Sequence, residues 1–377
     1  MIIKNGLIHD AVNKDAYVAD IEVLDGKITK IGQNLEGEDV VDATGKNIYP
    51  GMVEAHCHLG VDGYGIGFER DDCNEMNDPV TPQLRAIDGI NPFDPVFKKA
   101  RLAGVTSVCT GQGSANVLGG QFVAMKTVGK RIDDMIIKFP VAMKCAFGEN
   151  VKRCYRDKGI SMRMTTAAKL RETLAKANEY LAKKEAANGD ITKMPAFDQK
   201  MEALIPVMKK EIPLKAHAHA ADDIFTAIRI AKEFDVKLTL EHVTEGHLIA
   251  EDLVKENFPM AVGPTLTHAT KFELKDKTWQ TPVVLSNLGG QVSIITDSPV
   301  IPQEYLPLCA SLAMKAGMDP FKALQAITIN PAKHIGIADR VGSLEVGKDA
   351  DILVVDGDLF DVAHRVDVYM DGKLITE

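Results

Sequence analysis

The sequence contains no Cys-x-x-Cys pair, and its six cysteines (57, 73, 109, 145, 154 and 309) are scattered through 377 residues. That spacing excludes a disulfide framework and reads as reduced thiols in a cytoplasmic protein. Positive charge is in deficit: 44 Lys and Arg stand against 53 Asp and Glu, a net charge of −9. This excludes a sequence-independent nucleic-acid binder or an anionic-membrane binder, which needs a basic surface. Long apolar runs are also missing. The uncharged stretch 102–125 carries five glycines among Ser, Thr, Asn and Gln, which is not the make-up of a membrane span. The opening MIIKNGLIHD has a His and an Asp where a secretory leader needs its apolar core. No repeat and no low-complexity tract is visible.

What is present is the usual mixture of a globular chain, 45% hydrophobic and 26% charged. The two ends read as strands only. Segments 2–8, 20–24 and 27–31 surround an Asp25-Gly26 turn, and 351–355, 366–370 and 373–375 surround Asp371-Gly372. Between them, apolar strands alternate with helical patterns. Eight strands are predicted, at 53–57, 105–110, 121–126, 138–146, 214–218, 237–241, 259–262 and 292–296. The clearest helix is 166–187, closed by Asn188-Gly189. Such alternation argues for a parallel sheet, and eight strands argue for an α/β protein with a (β/α)8 TIM barrel.

Histidine is scarce, ten in all, yet it gathers at the ends of these strands. His56 and His58 close the first strand, His217 and His219 the fifth and His242 the sixth, while Asp297 closes the eighth. Barrel enzymes carry their chemistry at these strand ends. The period of two aims His56 and His58 into the lumen and turns Cys57 outward. A single such histidine is more often a satisfied polar residue. Four strands ending in ligand-type residues point instead to a divalent metal, with zinc first and iron or manganese as alternatives.

The segments IYPGMVEAHCHLG (48–60), LEH (240–242), TDS (296–298) and NPAKHIGIADRVGSLEVGKDADILVVD (330–356) resemble the amidohydrolase superfamily. Within it they resemble the imidazolonepropionase-related group. The resemblance implies a barrel over 51–335 and a small β-sandwich built from 1–50 and 336–377. It implies His56, His58, His217, His242 and Asp297 as metal ligands, with His219 lining the site. In two-metal members a carboxylated lysine ends strand four and bridges the ions. Lys144 stands in that place, and Glu149 is the alternative bridging carboxylate. The implied reaction is hydrolysis of a carbon–nitrogen bond in a small amide, cyclic amide or peptide-like compound. Asp297 would move the proton, and His242 or His219 would stabilise the oxyanion.

Rival readings share the ligands. A deaminase of the superfamily would carry Glu three residues after the strand-five His, where this chain has Ala220, or Asp222 counted from His219. A lactone or phosphoester hydrolase could use the same ligand set. A non-catalytic scaffold typically loses ligands, and this chain keeps them. Candidate substrate contacts are Tyr64 and Arg70 in the loop 64–78, Gln121, and His268 after strand seven. The GQGSAN loop (111–116) half-resembles a dinucleotide fingerprint, but its third glycine is Asn116. It reads better as a backbone-rich loop at the barrel mouth. No nucleic-acid or membrane partner is expected, and a homo-oligomer is compatible with the sequence.

Overall fold

The computed structural model describes residues 1–65, 67–361 and 363–376. Strands β1 (Ile2–Ile8), β2 (Tyr17–Leu24), β3 (Lys27–Gly32), β4 (Val40–Asp42) and β5 (Asn47–Pro50) open the chain. Asp25 and Gly26 take φ of 50° and 76°, the left-handed pair that a two-residue hairpin between β2 and β3 requires. The central strands are β6 (Met52–Cys57), β7 (Val105–Thr110), β8 (Leu118–Lys126), β9 (Ile136–Ala146), β10 (Leu214–Ala218), β11 (Leu238–His242), β12 (Met260–Val262) and β13 (Val292–Ile294). The chain ends in β14 (Ile352–Asp356), β15 (Arg365–Met370) and β16 (Lys373–Leu374).

Both termini share one sheet, ordered β16-β15-β14-β5-β1-β2-β3 with β4 on β1. Leu353 of β14 faces Tyr49 of β5 in the antiparallel pair that joins them. Ile3, Ile21, Ile28, Ile48, Ile352 and Tyr369 come from six of these strands into one buried cluster. The sheet therefore curls over its own core, the small sandwich that the strand-only ends predict. The strands β4 and β5 are too short for a pattern to mark them in the sequence.

The second sheet runs β6 to β13 in chain order and forms the barrel. One strand departs from the all-parallel expectation. β8 pairs antiparallel with both β7 and β9. Its connections are short, residues 111–117 and 127–135, and a parallel crossover needs about a dozen residues or more. The remaining neighbours pair in parallel. The start of β8, rather than its end, therefore lies at the mouth with the ends of the other strands.

The seam between β13 and β6 has no backbone ladder. A buried side chain laces it instead: Glu54 Oε2 accepts from the Thr296 backbone N–H (2.9 Å), the Thr296 hydroxyl (2.7 Å) and Gln303 Nε2 (2.9 Å). The helix Arg163–Ala187 packs Leu170, Leu174 and Ala177 into the barrel's outer core and ends at Asn188 with φ 45°. Among the described residues, no helix is long and apolar enough to cross a membrane, and all six cysteines are free.

Candidate metal centre at the barrel mouth

Strand ends bring six ligand-type side chains together in two buried groups. His56, His58 and Asp297 form one, and His217, His219 and His242 the other, each with one donor atom per residue lying within 4.8 Å of the rest. In the first group Asp297 Oδ1 lies 3.2 Å from His58 Nε2 and 3.5 Å from His56 Nε2. In the second the imidazole centroids are 4.3–4.6 Å apart. His56 and His242, 5.2 Å between centroids, join the groups. His242 and Asp297 both take left-handed backbone, φ 76° and 53°. Such strain in non-glycine residues collects at functional sites, and here it turns the chain where the side chain must face the lumen.

The tautomers are fixed from outside. His58 Nδ1 donates to the Gly111 carbonyl (2.7 Å) and His242 Nδ1 to the Gly263 carbonyl (2.8 Å). A carbonyl only accepts, so each ring turns its Nε2 inward, the arrangement of metal-ligating histidine. That nitrogen is bare in His242, whereas in His58 it faces Asp297, and Cys73 and Asp297 push the imidazole up to about 10 although burial opposes them. His219 Nδ1 is paired with the Thr244 hydroxyl at 2.7 Å. Burial holds His56, His217 and His219 well below the usual imidazole range, and pushes His242 down to about 4, so these rings are neutral. Asp297 is lowered although burial opposes it, because His242 and His58 outweigh burial. Several of these atoms have no protein partner: His56 Nδ1, both nitrogens of His217, His242 Nε2 and Asp297 Oδ1. Buried polar atoms left unpaired in a convergent cluster of imidazoles and one carboxylate fit a divalent cation such as zinc, iron or manganese.

Lys144 is fully buried at the end of β9, its Nζ 3.2 Å from His56 Nε2. Burial brings its ammonium down to about 8, with Asp297 and Glu241 pulling the other way. Room for it comes from Gly119 in β8, where an added Cβ would stand 3.3 Å from Lys144 Cβ and Cγ. Below the site, Glu241 Oε2 lies 3.7 Å from His56 Nδ1 and 2.9 Å from Lys215 Nζ, while its Oε1 meets His334 Nε2 at 2.9 Å. The Glu149 side chain is in neither histidine group. Glu149 instead donates its backbone N–H to Glu273 Oε2 at 2.9 Å.

A cleft of about 750 Å³ opens over the site, with His58, His217, His219 and Asp297 at its floor. Gly113, Ser114 and Ala115 line it, the mouth position that the GQGSAN loop suggests. The four candidate substrate contacts lie outside that lining. Tyr64 is exposed and its hydroxyl pairs with Lys99 Nζ at 2.6 Å. Arg70 is exposed and folds its carbonyl onto the Gly63 N–H. Gln121 alternates with Phe122, whose ring stacks on His56 at 5.6 Å, and so faces away from the lumen. His268 stands exposed at the rim, with its neighbours Thr267 and Lys271 facing the cleft. Two lining residues, Cys73 and Lys271, come from long polar loops. Buried Glu273 sits 3.7 Å from His217 Nε2 and 3.8 Å from His219 Nε2, and no sequence spacing marks it.

Comparison with known proteins agrees with this geometry. Residues 47–375 match the amidohydrolase family. An amidohydrolase from Thermotoga maritima MSB8 superposes with a TM-score of 0.96 at 42% identity, covering 100% of this chain and 99% of that one. Amidohydrolase tasK of Hapsidospora irregularis is 28% identical over 94% of this chain, which spans only 40% of that protein's length. A dihydroorotase from Acetivibrio thermocellus is 24% identical, covering 94% of this chain and 89% of its own.

Proposed function

The chain belongs to the amidohydrolase family, and from that premise we propose that it hydrolyses a carbon–nitrogen bond in a small amide, cyclic amide or peptide-like molecule. The observation that carries this reading is the pair of buried groups with unpaired donors facing one another under an open cleft. His56, His58 and Asp297 would hold one divalent cation and His217 and His242 a second, with Lys144 as carbamate joining them. Zinc is the first choice, iron and manganese the alternatives. Such cations, when bound, supply Lewis acidity toward water and toward the scissile carbonyl.

The chain's own residues supply the rest. Asp297 is ionised, and its Oδ2, 4.0 Å from His242 Nδ1, can accept a proton from attacking water and return it to the leaving nitrogen. Neutral His242 carries its proton on Nδ1, so its Nε2 is a lone pair suited to ligation rather than to oxyanion binding. That leaves His219, whose ring reaches the cleft, to donate to the developing oxyanion. Lys144, brought down to about 8 by burial, presents at that pH the free amine that carboxylation requires in about half of the molecules.

A second reading, hydrolytic deamination of an amino-heterocycle, is favoured by one observation. Glu273 sets a buried carboxylate beside His217 and His219, although the strand-five Glu of deaminases is absent. The dihydroorotase and adenine deaminase relatives stand on either side of this choice. A screen of N-acyl amino acids, dipeptides, cyclic amides and amino-heterocycles against metal-loaded protein tests it. Release of a carboxylate and an amine supports amide hydrolysis, and release of free ammonia from a heterocycle supports deamination. Turnover confined to lactones or phosphoesters would contradict both.

A further inference from the structure

Glu273 lies in the loop after β12, in the short turn Phe272–Leu274, and reverses the usual distribution of side chains. Phe272 is 75% exposed there, whereas Glu273 is 4% exposed. A carboxylate leaves water only where other groups compensate it. The surroundings of Glu273 are built to receive it. Gly148 has φ +81°, and an added Cβ there would stand 2.4 Å from Glu273 Oε2. The Glu149 N–H then holds Oε2 at 2.9 Å. The other oxygen, Oε1, faces the second histidine group, 3.7 Å from His217 Nε2 and 3.8 Å from His219 Nε2.

These separations are too long for hydrogen bonds. They suit donors around a shared cation, because ligands at ~2.1 Å from one ion stand roughly 3–4 Å apart. Asp297 Oδ1 keeps the same kind of distance, 3.2 and 3.5 Å, from His58 and His56. Neither nitrogen of His217 has a protein partner. The first group already contains a carboxylate, whereas the second consists of three neutral imidazoles. Lys144, the other candidate anion once carboxylated, rests against His56 of the first group.

We propose that Glu273 is a further anionic ligand of the second group, adding its Oε1 beside His217 to the divalent cation that His217 and His242 would hold, with His219 left to meet the substrate. This rests on the reading of the two groups as a metal centre. In the metal-free chain the Lys271 ammonium, 2.6 Å from Oε1, supplies the positive charge that this oxygen faces. Metal binding displaces it, still protonated, into the cleft that it lines. Lys271 is thus a competitor of the cation rather than a support for the site.

The test is zinc stoichiometry and affinity, by elemental analysis and chelator competition, on the full chain, with the melting temperature as a fold control. Wild type should bind two zinc ions. Glu273→Gln should keep the first and bind the second at least about tenfold more weakly. Lys271→Met should bind the second as tightly as wild type or more tightly. If Glu273→Gln fails to fold with Lys271 left unpaired, the double variant Glu273→Gln/Lys271→Met removes both charges and should show the same loss. Unchanged affinity for both ions in Glu273→Gln, or in the double variant, overturns the assignment. Equal weakening in Glu273→Gln and Lys271→Met also overturns it, as the mark of a purely structural ion pair. A wild type that binds no zinc contradicts the metal centre itself, whatever Glu273 does.

Discussion

Lys144 Nζ stands 3.2 Å from His56 Nε2 inside a fully buried pocket, where an ammonium and a metal-ligating imidazole cannot both keep their cations. The proposed carboxylation would resolve the conflict by turning the amine into an anion. Lys144→Ala should therefore cut metal occupancy and activity together. A short carboxylic acid in the medium should partly restore both, and Lys144→Glu should keep more activity than Lys144→Ala. Density for the metal-loaded protein with a bare Lys144 remote from any ion would count against the bridge, and so would full activity in Lys144→Ala.

Glu54 is the pin of the barrel seam. Removing its carboxylate strands the Thr296 N–H, the Thr296 hydroxyl and Gln303 Nε2 in the interior. Glu54→Ala should cost about 3–5 kcal/mol, read as a fall in the denaturation midpoint. A near-neutral result would assign closure of the barrel to other contacts.

The same residue gives a pH dependence. Burial pushes Glu54 up to about 7, against the hydrogen bonds from Gln303 and Thr296. The folded chain then holds a proton that the unfolded chain releases near pH 4.5, so this group's contribution falls as pH rises from about 4.5 to 7. Glu54→Gln, which cannot ionise, should gain on wild type across that window by up to about 3 kcal/mol. Denaturation of the metal-free proteins at pH 5 and pH 8 checks this, and a constant difference between the two would refute it.

Much of this was legible in the sequence because strand period and strand-end histidines act locally. His56 and His58 share a face by the period of two, and the Asp-Gly turns locate the terminal hairpins. The antiparallel β8 escaped because the alternation of strands and helices suggests a parallel sheet. The brevity of 111–117 holds the contrary signal. Glu273 escaped for a different reason. Its position is set by a loop closing over Gly148 and Glu149, more than a hundred residues away in sequence, and such closure leaves no periodicity. Gln121 gave no periodic signal of its own, and beside it Phe122 takes the lumen.

Glu241 should behave as a positioning residue. It faces His56 Nδ1 at 3.7 Å, a gap that a small turn of a ligating ring closes to a hydrogen bond, and it is held by the Lys215 ammonium and by His334 Nε2. Glu241→Gln should weaken zinc binding at the first group by roughly 10–100-fold, as the loss of an outer partner of a ligating histidine does. The second group should be little affected. Equal loss at both groups would point to collapse of the barrel floor instead.

The most direct test of the account is a zinc count on three full-length proteins under one loading protocol: wild type, His58→Ala and His217→Ala. Two neighbouring centres predict two ions in wild type and about one in each variant, with the barrel fold intact by circular dichroism and hydrolysis lost in both. Wild type without bound zinc, iron or manganese, or variants that keep both ions, would contradict the central claim.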